Sequence, residues 1–176
     1  RIYSPEHGQR MGLEGIIEDM VKRADFYPGE NLVSDLESTR PLSRADLARV
    51  ITLLENETAP RALMTSLKQR AANLGRKVPV LGITGTGGSG KSSLTDELIL
   101  RWRLDHADQL RVAVLAIDPS RRRSGGALLG DRIRMNAIDG DSVYLRSLAT
   151  RSAVAEVPKK LPDIITATKA AGFDLI

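Results

Sequence analysis

Apolar residues recur along this chain at two different periods, and the change falls near residue 77. Before it the spacing is helical. Leu13, Ile16, Ile17, Met20 and Val21 return every three or four positions and predict an amphipathic helix after a polar, turn-rich start over 1–10. Phe26-Tyr27-Pro28-Gly29 breaks it. Ser43-Arg44-Ala45-Asp46 reads as a capping-box start, with Leu47, Val50, Ile51 and Leu54 following on one face. Pro60 can open a further helix containing Leu63, Met64 and Leu67 and ending near Gly75. Residues 1–76 are thus expected to be a small helical linker region that needs a partner surface and carries no chemistry of its own.

From Val78 onward, short β-branched runs alternate with helical spacing, the signature of an α/β protein with a doubly wound, mostly parallel sheet. Strands are predicted over 78–84, 111–117, 142–145 and 173–176. Helices are predicted after Lys91, where Leu94, Leu98, Ile99 and Trp102 recur, around 131–138 and around 164–171. The apolar run 78–84 reads as a strand buried on both faces. Gly172-Phe173-Asp174-Leu175-Ile176 reads as the opening of another buried strand, and strands average about five to six residues. The second domain, 77–176, is therefore expected to be C-terminally truncated, part of a longer protein.

Composition narrows the classes. The 176 residues suffice for one ordinary domain and an appendage. Aromatic residues make up only 3%, so the core must come from Leu, Ile, Val and Ala. A net charge of +4, spread along the chain, does not argue for nucleic acid. With 0 cysteines there is neither a disulfide framework nor a thiolate metal site. No run approaches the roughly 18 apolar residues of a membrane span, and a cytoplasmic protein is the default expectation.

Chemistry enters between the first predicted strand and its helix. Gly85-Thr86-Gly87-Gly88-Ser89-Gly90-Lys91-Ser92 is a complete phosphate-binding loop, G-x-x-x-x-G-K-[ST]. Its glycines let backbone N–H groups line a concave anion site. Lys91 supplies a cation at the β/γ-phosphates, and the Ser92 hydroxyl can take one position on Mg²⁺. A helix starting at Lys91 would aim its positive end at the same phosphates. The strand before the loop and the helix after it are the context this motif requires, which makes the fold a P-loop NTPase.

A second constellation ends the next predicted strand. Asp118, ahead of Pro119 and Ser120, either caps the following turn or reaches the Mg²⁺ shell from a strand beside the loop, since hard Mg²⁺ prefers carboxylate oxygens. Arg121-Arg122-Arg123-Ser124-Gly125-Gly126 and Gly130-Asp131 then form a long charged connection. Such a segment suits either a solvated loop or a switch that orders on γ-phosphate and Mg²⁺. Arg134 follows Asp131 by one helical turn, so the two can share a face.

The loop TGTGGSGKSS, the stretch DPSRRRSGGALLGDRIRM and Ser147-Leu148-Ala149-Thr150-Arg151 together resemble one family. It is the metallocentre-chaperone branch of P-loop GTPases, in the subgroup that serves cobalamin-dependent acyl-CoA mutases. The wording is similar to the GTPase domains embedded in fused isobutyryl-CoA mutases and to stand-alone mutase-associated GTPases. The resemblance implies that Gly87, Gly88, Ser89, Gly90, Lys91, Ser92 and Ser93 hold GTP or GDP, and that Arg134 contacts the nucleotide. It implies Mg²⁺ near Ser92, the Ile117 carbonyl, Asp118 and Asp131, with Lys91 and Arg134 serving catalysis. It also implies that 1–76 follows a cobalamin-binding domain. Adenosylcobalamin would then belong to the parent, a homodimer whose cobalamin-binding and substrate-binding mutase domains are the partners. The guanine-reading Asn-Lys-x-Asp motif does not occur here, and guanine preference rests on the resemblance. The cobalamin pattern Asp-x-His-x-x-Gly is absent too, and His7 and His106 read as surface residues. A P-loop small-molecule kinase, with Asp118 as base toward a substrate hydroxyl, is the competing enzyme reading. A module in which nucleotide is only structural is the non-catalytic one.

Overall fold

The computed structural model describes residues 3–29, 32, 42–118, 135–149 and 157–176. The first helix, α1, spans Pro5–Ala24 and starts earlier than expected. Ser4 and His7 form a capping box, the Ser4 hydroxyl accepting the His7 N–H and the His7 ring accepting the Ser4 N–H at 3.1 Å. That pairing, with proline in the first turn, makes helix of a stretch whose composition suggests turns. Gly12, at φ 67°, kinks the helix. The expected apolar stripe is present but uncovered: Leu13 is 77% exposed, and no residue of α1 is buried.

Helices α2 (Arg44–Glu55), α3 (Arg61–Ala72) and α5 (Leu161–Ala170) do find a surface. The predicted capping box at Ser43 forms, with Ser43 and Asp46 exchanging backbone N–H bonds at 3.1 Å. Gly75, at φ 65°, follows the end of α3. Leu47, Val50, Leu63 and Leu67 meet Ile164, Ala167 and Phe173 in one apolar cluster, so these helices share a core with the sheet.

The sheet is parallel. Strand β1 (Val112–Asp118) pairs with β2 (Val143–Ala149) from Val112↔Val143 to Asp118↔Ala149. On the other side of β1, Val112 bridges Leu175. Beyond that, the Leu81 N–H donates to the Ile176 carbonyl at 2.8 Å and the Ile176 N–H to the Pro79 carbonyl at 3.1 Å. Among the described residues the paired sheet is thus β1–β2 alone; 173–176 runs beside β1 through a single bridge and 79–81 runs beside Ile176, so the expected strands 78–84 and 173–176 are extended segments rather than full strands. The 173–176 segment, held by these bonds, stands between 78–84 and β1. Arg111 helps fix it, donating to the Ala171 and Gly172 carbonyls at 3.2 Å each and laying its guanidinium 4.7 Å from the Phe173 ring centre.

Side chains alternate across the strands, as a pleat requires. Ala113, Leu115, Tyr144 and Leu148 face the α2–α3–α5 core; Val112, Val114, Val143 and Leu145 face α4 (Lys91–Asp105) and Ile99. Two further expectations are corrected. The 78–84 segment is not buried on both faces: Val80 is 48% and Leu81 50% exposed, at the edge of the described sheet. Residues 135–138 form a turn rather than helix, because Asn136 and Ala137 give their N–H groups to the Asp96 carboxylate instead of to helical carbonyls. The rest of the expected 131–138 helix lies outside the described residues.

Candidate phosphate-binding site

The site is built where the edge segment turns into α4. Gly88 at φ 78° and Gly90 at φ 87° take left-handed conformations that side chains resist. They let the loop curl back in two steps and deliver the chain into the helix at Lys91. Gly90 caps α4 with no side-chain hydrogen bond, so the helix opens on backbone N–H groups alone. Gly85 is needed for a different reason. A methyl group there would stand 2.9 Å from the Ser89 hydroxyl and 3.7 Å from the stem of Lys91. Lys91 itself folds over the loop, its ammonium donating to the Gly85 and Thr86 carbonyls at 2.8 and 2.7 Å. The Ser89 N–H closes the turn on the Thr86 carbonyl at 3.3 Å.

These features fit a phosphate chain with its hard cation. A glycine-rich loop leads into the positive end of a helix, an ammonium folds back over it, and a hydroxyl at Ser92 offers the oxygen donor that Mg²⁺ prefers. A groove of about 300 Å³ runs from Lys91 and Ser92 past Thr95 to Ile117 at the carboxyl end of β1. Ligands in open α/β sheets bind at this end.

The structure gathers Gly87, Gly88, Ser89, Gly90, Lys91, Ser92 and Ser93 at the start of α4. Ile117 joins them by lining the same groove. Asp118 ends β1 opposite Ala149. Because 173–176 intervenes, the backbone of β1 lies about two strand spacings, roughly 10 Å, from the 78–84 segment. Asp131 and Arg134 lie outside the described residues. Trp102 packs partly buried beside Ile99, as a helix residue of the core. His7 caps α1, and exposed His106 ends α4.

The reading of residue types missed Asp96 and Arg103. Asp96 accepts the N–H groups of Asn136 and Ala137 at 3.1 and 2.8 Å, and Arg103 donates to the Ala137 carbonyl at 2.8 Å. Their partners are backbone atoms some forty positions away in sequence, and such partners leave no mark in residue type.

Comparison with known proteins gives the family. The family model described as methylmalonyl Co-A mutase-associated GTPase MeaB matches residues 47–176. A fused isobutyryl-CoA mutase of Cupriavidus metallidurans is 57% identical over the whole chain, which spans 16% of that protein. One of Geobacillus kaustophilus is 47% identical, again over the whole chain and 17% of the protein. GTPase ArgK of Escherichia coli is 31% identical over 82% of the chain and 44% of its own length. The chain thus spans about a sixth of the fused relatives it matches.

Proposed function

The chain belongs to the mutase-associated GTPase family called MeaB, and from that premise we propose that it is the GTP-binding and hydrolysing chaperone domain of a fused adenosylcobalamin-dependent acyl-CoA mutase. One observation carries this reading: a glycine-built anion cradle, with Lys91 folded over it, opens α4 in a chain that matches fused mutases along its whole length.

Gly87 to Ser93 would grip the phosphates through backbone N–H groups, and Lys91 would swing from the loop carbonyls onto the β/γ oxygens. Ser92, the Ile117 carbonyl, Asp118 and Asp131 would hold Mg²⁺, which when bound neutralises charge on the phosphates. Arg134 would contact the nucleotide. Water attacks the γ-phosphorus in line with the departing GDP. The chain's own part in that step is positioning and charge stabilisation by Lys91 and the loop N–H groups. The sheet would be doubly wound. Residues 1–76 would link it to a cobalamin-binding domain, and 77–176 would carry the nucleotide chemistry. In the parent, a cytoplasmic homodimer binding neither membrane nor nucleic acid, the nucleotide state would gate adenosylcobalamin loading onto a mutase that interconverts isobutyryl-CoA and butyryl-CoA.

The test is a Mg²⁺-dependent titration of the full-length parent with GTP and with ATP, read as affinity and phosphate release, with and without adenosylcobalamin. The expected result is strong preference for GTP and turnover that responds to the cobalamin. Preference for ATP would move the assignment to a P-loop kinase, and binding without turnover to a structural nucleotide site.

A further inference from the structure

One face of α4 makes three chemically different contacts with the same short stretch of chain. Asp96 holds the N–H groups of Asn136 and Ala137 on its two carboxylate oxygens, at 3.1 and 2.8 Å. Ile99, fully buried, shares an apolar cluster with Met135 and Ala137. Arg103 donates to the Ala137 carbonyl at 2.8 Å and is itself held by Asp108, whose carboxylate accepts its Nε–H at 2.5 Å. Positions 96, 99 and 103 are three and four residues apart, so they stack along one side of the helix. Both polar groups of Ala137 are thereby bound to α4, one by an anion and one by a cation. Charge-assisted bonds of this kind are about twice as strong as neutral ones.

The location of this clamp gives it meaning. Ser92 lies four residues before Asp96, about 6 Å along the helix axis and on the same side. Residues 135–137 are where the connection leaving β1 rejoins the described scaffold, immediately after Arg134 in sequence. The clamp therefore fixes that point of return along α4, from Asp96, one turn beyond Ser92, to Arg103 in the last turn of the helix.

We infer that Asp96 is a positioning residue for phosphoryl transfer: with Ile99 and Arg103 behind it along α4, it sets the register of the chain at 135–137 one helical turn beyond Ser92. The inference rests on the GTPase reading above. Asp96 touches neither nucleotide nor metal in this role. Its contribution is to the geometry of the reacting state, where a displacement of about 1 Å costs on the order of a hundredfold in rate. Ground-state grip on the phosphates belongs to the loop and should survive without it.

The experiment compares Asp96→Ala, Asp96→Asn and Arg103→Met with the unmutated protein in the full-length parent. It reads kcat and KM for GTP, affinity for a fluorescent GDP probe, and the melting temperature. Asp96→Ala should lower kcat by about tenfold or more while KM and probe affinity stay within about twofold. Asp96→Asn keeps an oxygen for one N–H but turns a donor toward the other, so its kcat should be intermediate. Arg103→Met loses one carbonyl bond and should lower kcat by about threefold. Unchanged kcat with a lower melting temperature would reduce the clamp to a structural contact and overturn the inference, as would parallel losses in affinity and kcat. If Asp96→Ala fails to fold, the intermediate kcat of Asp96→Asn, with affinity retained, decides the matter. Absence of GTP turnover in the unmutated protein would be a different failure, that of the GTPase reading itself, and the inference would fall with it.

Discussion

The two faces of the sheet differ in how much apolar surface they bury, although directed bonds occur on both, as from Arg146 to Glu55 and Thr52 on the α2 side. On one, α2, α3 and α5 bury Leu47, Val50, Leu63, Leu67, Ile164 and Phe173 in a continuous apolar core. On the other, the smaller cluster of Ile99, Val112, Met135, Ala137 and Val143 is buried, and much of α4 is bare: Leu94, Leu100 and Leu104 are all exposed. What the second face lacks in apolar burial it makes up in directed polar contacts, with Asp96 and Arg103 binding a turn through its backbone. Apolar packing is non-directional and fixes how strongly elements adhere. Hydrogen bonds to named atoms fix where they sit. The face that carries the phosphate loop is thus specified in position more than in strength.

The sharpest division between the two faces comes from Lys91→Ala. The ammonium bonds only to exposed loop carbonyls at Gly85 and Thr86 in the described structure, and it packs into no core. Its loss should reduce GTP turnover by at least about a hundredfold, the scale of losing a preorganised stabiliser of developing charge. The melting temperature should stay put. Phosphate release and calorimetry on the same preparation check both halves. A large fall in melting temperature would mean that the loop is part of the load-carrying structure, and the contrast between faces would dissolve.

Next in size is a pair of leucines of equal chemistry and opposite surroundings. Leu67 is 0% exposed among α3, α5 and the sheet, whereas Leu104 on α4 is 68% exposed. Leu67→Ala should cost about 2–5 kcal/mol, the lost transfer energy plus a cavity. Leu104→Ala should change stability by less than about 0.5 kcal/mol. Urea midpoints of the two variants measure the difference. Comparable losses at both positions would show that α4 is covered in solution by something that buries Leu104.

Much of this was legible in sequence, for identifiable reasons. Capping boxes are local, so Ser43 announced the start of α2 correctly. The phosphate loop is local too: both glycines that its pattern demands, at 85 and 90, have positive φ in the structure, as does Gly88 between them. Sheet order is not local. The apolar runs at 78–84, 111–117 and 173–176 are interchangeable as strands, and only the bonds from Ile176 to Pro79 and Leu81 reveal which lies in the middle. Residues 135–138 misled for a related reason: Asp96 claims the N–H groups that a helix would need. The same distance in sequence hid the clamp. Side chains that bind backbone have no partner residue type to search for.

The smallest effect probes the outermost link of the clamp. Asp108 sits at φ 59° just past α4, a left-handed position that aspartate tolerates better than most residues. Its carboxylate accepts from Arg103 Nε at 2.5 Å and from the Ser142 hydroxyl at 3.3 Å. The hydrogen bond from Arg103 holds its pKa below the ordinary carboxylate value, against an opposing desolvation. A carboxylate depressed in the folded state stabilises above its unfolded pKa of about 3.9, and that contribution is lost as pH falls through the lower folded value. A carboxyl NMR titration should therefore place the Asp108 midpoint below that of a free aspartate, and Arg103→Met should move it back up. Because the pair is exposed, salt should weaken the shift. A midpoint at or above the free value would mean that Asp108 does not hold Arg103 in solution. Arg103 would then reach Ala137 from a side chain free to leave it, and the α4 face would keep its register through Asp96 alone.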